Sequence, residues 1–127
     1  MSPQDINRIK LIETFNGFPI EEQYSVIVYI GKSMYANDDK TIVIDIPDAE
    51  IDKFFEYQGY IDGYTRIPGK GRYGETLESS EMVLMFDKTL RNVLNFCYEY
   101  NRRFSQEAVY IDINPPTQLL IKERQTI

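Results

Sequence analysis

The amino-acid sequence predicts an α+β fold in which two helices cross one face of an antiparallel sheet. Three observations lead there. Short β-branched runs recur along the chain. Two segments carry apolar residues at helical spacing. The two kinds alternate as strand, helix, strand, strand, helix, strand. At 127 residues the chain is expected to form one domain that buries roughly two-thirds of its unfolded surface.

Ser2-Pro3-Gln4-Asp5 reads as a helix start, with Ser at the cap and Pro at the first helical position. Ile6, Ile9 and Ile12, with Leu11 and Phe15, give one apolar stripe, and Asn16-Gly17 is expected to stop it. Residues 1–17 are therefore expected as a helical extension, and 24–122 as the core. Tyr24–Ile30 is almost continuously apolar, as a buried strand would be. Thr41–Ile46 is a second β-like run, ended by Pro47. Asp48 is expected to cap a helix to about Gln58, with Ile51, Phe54 and Phe55 inward.

Tyr60–Ile67 reads as a strand with a weak point at Gly63, and Pro68-Gly69-Lys70-Gly71 as a loop. Polar residues 75–80 lead into a strand over Glu81–Phe86. Asp87 is expected to cap the longest helix, about Lys88 to Phe104, with Leu90, Val93, Leu94, Cys97, Tyr100 and Phe104 on its apolar face. Glu107–Ile113 is another strand, Asn114-Pro115-Pro116 breaks it, and Gln118–Lys122 is a short last strand. This order is that of a ferredoxin-like split β-α-β sandwich. Its second sheet face needs a cover. The N-terminal helix or a second subunit could supply it, which points to a homodimer or small homo-oligomer.

A net charge of -6 argues against generic nucleic-acid binding, which depends on neutralising phosphates, but leaves room for a small anion held locally. The chain has no histidine, so the commonest general base and metal ligand is missing, and no metal or cofactor is expected. One cysteine permits no internal disulfide, and neither a leader nor a membrane span is evident, so a cytoplasmic protein is expected. Ten Tyr and seven Phe with no Trp suggest rims, interfaces or ligand walls.

Residues 62–75 hold four of the seven glycines and three of the fourteen basic residues. Gly69, Gly71 and Gly74 would let backbone approach a ligand, and successive N–H groups there could form an anion nest. Arg66, Lys70 and Arg72 would hold negative charge, while Tyr64 and Tyr73 could stack on a base. The same residues would equally suit a flexible hairpin with solubilising charges. The spacing fits neither the Walker A pattern nor the dinucleotide fingerprint. Gly63-Tyr64-Thr65 followed by Gly69-Lys70-Gly71-Arg72, between the second and third core strands, resembles the P-II-like signalling proteins. That resemblance implies nucleotide binding at subunit clefts. A closer resemblance, over about residues 24–121, is to an uncharacterised family of small bacterial ferredoxin-like proteins. It rests on Asp62-Gly63-Tyr64-Thr65, Gly69-Lys70-Gly71-Arg72-Tyr73, Glu78 with Ser80, and Arg103–Val109, and it implies a fold without a biochemical role.

For catalysis the available acids are Asp45, Asp48, Asp62, Glu75, Glu78, Glu81, Glu107 and Asp112. Glu75, Glu78 and Glu81, at the entry to a strand, are expected to be solvated. Asp45 is either buried or on a wet edge strand, with the edge favoured. Glu107 and Asp112, five apart on one strand, should point to opposite faces. Cys97 sits on an apolar helix face with no histidine to activate it, and reads as a structural thiol. Arg102 and Arg103 either answer the helix dipole or line the same anion cleft as residues 64–73. The sequence thus favours a non-enzymatic protein that binds a small anion, a nucleotide for instance. An acidic interaction module with a basic protein partner, of phage or mobile-element type, and a small enzyme with a Tyr/Arg/carboxylate cleft are the alternatives.

Overall fold

A computed structural model describes residues 13–73 and 76–114. The fold is α+β. Its main sheet has four strands: β3 (Gln23–Gly31), β6 (Thr65–Tyr73), β7 (Thr76–Thr89) and β8 (Tyr110–Asn114). They lie in the order β6-β7-β3-β8, and each neighbouring pair is antiparallel. Two helices, α1 (Asp48–Tyr57) and α2 (Leu90–Phe104), connect β3 to β6 and β7 to β8. Two small hairpins are added, β1–β2 (Thr14–Phe15 and Phe18–Pro19) and β4–β5 (Ser33–Tyr35 and Val43–Asp45).

Period-two alternation decides which face is buried. Tyr24, Val26, Val28 and Ile30 of β3 are buried, as are Val83 and Met85 of β7. They form one core with Ile51 and Phe55 of α1 and with seven buried residues of α2. Leu90, Val93, Leu94, Cys97, Tyr100 and Phe104 of α2 all lie in that core, as their helical spacing requires. Phe54 sits at its aromatic centre, with ring centroids 5.3 Å from both Phe96 and Tyr100 and 5.9 Å from Phe104. Each such side chain contributes about 1.5–3 kcal/mol by leaving water.

Several local expectations are corrected. The N-terminal helix falls largely on residues 1–12, which lie outside the described residues, as does the strand expected at 118–122. Asn16-Gly17 does not stop a helix. Both residues have positive φ, at 49° and 83°, and join β1 to β2 as a two-residue hairpin turn. The run at 41–46 contributes only Val43–Asp45, which pairs with β4 apart from the main sheet. Asp87 is not the cap of α2. It sits at φ 52° in a β-bulge where Phe86 and Asp87 oppose Ser25, and β7 continues to Thr89, the residue before the helix. Pro68-Gly69-Lys70-Gly71 is not a loop: Pro68 pairs with Glu81, Gly69 with Ser80, Lys70 with Ser79 and Gly71 with Glu78. Pro68 is tolerated because β6 is an edge strand. The β6–β7 ribbon continues past Gly31, the last β3 residue paired with it, so its outer part stands as a two-stranded arm.

Tyr100 ties the helix layer to the end of β3, because its hydroxyl donates to the Gly31 carbonyl at 2.5 Å. Burial pushes the phenol's pKa well up, so the donor stays protonated. Tyr100→Phe should lower unfolding free energy by about 1–2 kcal/mol with little change in packing. A denaturant titration that leaves the midpoint unmoved would contradict this anchor.

Candidate functional site

Arg66 was expected to hold a ligand, yet the structure commits its guanidinium within the chain. β6 and β7 pair Arg66 with Val83, two residues from Glu81, so both side chains lie on the helix side of the sheet. Arg66 Nε donates to Glu81 Oε2 at 2.8 Å and Nη2 to Oε1 at 2.9 Å, a two-pronged grip on a buried carboxylate. Nη1 donates to Asp52 of α1 at 2.9 Å, and the guanidinium stacks over the Phe55 ring at 4.1 Å. The hydrogen bonds to Glu81 and Asp52 raise the Arg66 pKa further above its ordinary value, so its charge is permanent.

Lys32, just past β3, completes the network, 2.8 Å from Asp48 and 3.6 Å from Glu81. Asp48 and Asp52, four apart, present both carboxylates on one face of α1. Asp48 therefore does not cap α1. No side chain caps that helix, whose first residue follows Pro47. The expectation that Glu81 is solvated is also corrected, since it is 6% exposed. Its alternation with buried Val83 and Met85 carried that signal.

Glu81→Ala leaves two cations facing an apolar gap. It should cost about 2–4 kcal/mol, reduced from the fully buried figure because Arg66 is a quarter exposed. The double variant Glu81→Leu with Arg66→Met should be less destabilised than Glu81→Ala alone in chemical denaturation. A larger loss in the double variant would contradict the network's role.

The Lys32 hydrogen bond and charge hold the Asp48 carboxyl below its ordinary 3.8. A depressed pKa contributes stability above the unfolded value and loses it as pH falls through the folded one. Wild type should lose stability below about pH 3.8 more steeply than Asp48→Asn, which has nothing to protonate there. Parallel acid limbs in thermal unfolding would contradict the pairing.

The other expected site residues are scattered. Tyr64 packs on Phe55, centroids 5.1 Å apart. Lys70 and Arg72 are exposed on the arm. Gly71 pairs in the arm, and the Tyr73 side chain lies outside the described residues. Gly69 and Lys70 line a groove of about 830 Å³ where the β4–β5 hairpin meets the sheet, with Tyr29, Tyr35, Met82 and Tyr110. Arg102 and Arg103 do not share it. They line a second groove of about 710 Å³ between α1 and α2, with Lys53, Phe54, Tyr57, Gln58, Gly59, Tyr60 and Glu99.

The second groove is electrostatically distinct. Among the described residues three cations line it against one carboxylate, although the whole chain carries -6. Arg102 is held by Glu99 at 2.8 Å, which with the exposed ion pair raises its pKa. Arg103 and Lys53 share Glu50, at 3.3 and 3.7 Å. Lys53, Arg103 and Glu50 are on the surface, where exchange of one anionic partner for another costs little, while Glu99 is half-buried. Gln58 shapes the rim by donating to the Ile61 carbonyl and accepting from the Tyr60 and Ile61 amides. Sequence reasoning missed Lys53, Tyr57 and Tyr60. Lys53 and Tyr57 stand four apart on one helix, a spacing that could have signalled a shared face.

The catalytic candidates among the described residues have these surroundings. Asp45 is exposed on β5, as favoured, where it accepts from Ser33 Oγ at 3.5 Å. Asp62 meets Lys88 at 3.5 Å. Glu107 precedes β8 rather than lying on it, and pairs with Lys40 at 3.2 Å. Cys97 is a buried thiol whose pKa is pushed up by desolvation, as a structural cysteine's would be. Among the described residues no group of three acidic or thiol side chains is arranged to hold a metal, and no helix is long and apolar enough to cross a membrane. Comparison with protein-family models, with curated proteins and with solved structures finds no match to this chain.

Proposed function

We propose that this chain is a non-enzymatic binding protein of the ferredoxin-like type, with a small anion that carries an aromatic part, such as a nucleotide, as its ligand. The sheet order β6-β7-β3-β8, with α1 and α2 as the two crossovers, supports the fold reading. The ligand reading is carried by one observation: Lys53, Arg102 and Arg103 gather with Phe54, Tyr57 and Tyr60 in one groove of an acidic chain. Arginines suit phosphate because their planar fork matches two oxygens. Tyr57, 79% exposed, offers a ring face for a base. A phosphate would displace Glu50 from Arg103 and Lys53, cations it holds only at the surface. The site thus lies in the helical layer, apart from Lys70 and Arg72 on the arm.

Calorimetric titration with ATP tests this. Lys53→Ala with Arg103→Ala should weaken ATP binding about ten- to hundredfold and leave unfolding stability nearly unchanged. Lys70→Ala with Arg72→Ala should leave it unchanged. Loss in the arm variant alone would move the site to residues 69–72, and loss in neither would overturn the anion reading.

A further inference from the structure

Two cations of the helical groove share one carboxylate. Glu50 Oε2 accepts from Arg103 Nη2 at 3.3 Å, and Glu50 Oε1 lies 3.7 Å from Lys53 Nζ. The two oxygens of one acid thus serve one cation from each helix, Lys53 on α1 and Arg103 on α2. All three side chains are well exposed, so neither contact is strong. The neighbouring pair is built differently. Arg102 donates through both Nε and Nη2 to Glu99 Oε2, at 3.1 and 2.8 Å. The Glu99 side chain is 19% exposed, against 40% for Glu50. Glu50 is therefore the more readily exchanged of the two acids. Its charge is also outnumbered: Lys53 and Arg103 bring two positive charges, and Glu50 answers one of them.

We propose that Lys53 and Arg103 select a terminal, doubly charged phosphate, and that Glu50 is its tethered rival in the unliganded chain. This rests on the anion reading of the groove and names the class of anion. Exchange of Glu50 for a phosphodiester replaces one charge by one and gains little. Exchange for a phosphomonoester brings a second charge, which answers the second cation, and enough oxygens to reach both. The rival also sets the affinity. Any anion at this pair must first release Glu50, so the carboxylate weakens the binding of all of them by a common factor.

The test is an amide NMR titration of the full chain with AMP and with its methyl phosphodiester, whose phosphate keeps one charge. At low salt AMP should bind at least about fivefold tighter than the ester. Glu50→Gln should tighten both by about two- to tenfold. Glu56→Gln removes the same charge from an exposed position of the same helix, and should change either affinity less than about twofold. Equal binding of AMP and its ester, or no gain in Glu50→Gln beyond that in Glu56→Gln, would overturn the proposal. ATP binding that Lys53→Ala with Arg103→Ala weakens would then still support the groove as an anion site. Absence of ATP binding from both wild type and Glu50→Gln would overturn the anion reading itself, and this proposal with it.

Discussion

The buried pairing of Glu81 with Arg66 is the constraint from which most of the architecture follows. A carboxylate at 6% exposure needs its charge answered, and Arg66 answers it with two parallel hydrogen bonds. That grip fixes the relative position of β6 and β7 where the arm leaves the sheet. Arg66 and Lys32 then draw Asp52 and Asp48 onto them, so α1 is seated by charge as well as by Ile51 and Phe55. Tyr100 closes the same end of the sheet from α2.

The same pairing bears on the proposed ligand site. An arginine that grips Glu81 and Asp52 and stacks on Phe55 has its strongest donors committed. The arm keeps Lys70 and Arg72, both exposed, with Lys70 at the edge of the groove beside the β4–β5 hairpin. The groove between the helices has three cations and aromatic walls. Charge and shape therefore divide the molecule. The helical side presents a basic groove, and the other side of the sheet presents Tyr29, Ile67, Phe86 and Tyr110. A net charge of -6 conceals both features.

Much of this was legible from the residues. The α2 face followed from its helical period, and Cys97 fell inside it. The order of strands and helices in the core was readable from β-branched runs and from the spacing of Ile51 and Phe55. Turn chemistry misled in three places. Asn16-Gly17 can end a helix or close a hairpin, and only the pairing of Thr14 with Pro19 decides. Gly69 and Gly71 look like a loop, yet an edge strand accepts both glycines and Pro68. Asp87 resembles a helix cap, but the bulge opposite Ser25 needs a residue at positive φ, and Asp tolerates it. The helical groove was only half legible. Arg102 and Arg103 stood out in the sequence, but their partnership with Lys53 and Tyr60 depends on how α1 lies beside α2.

Native mass spectrometry of the full chain as purified, with mild denaturation to identify anything released, tests the binding reading most directly. The account predicts a protein that carries, or takes up when ATP is added, one nucleotide-like anion per helical groove. A chain that is empty as purified and stays empty across an ATP titration would contradict it.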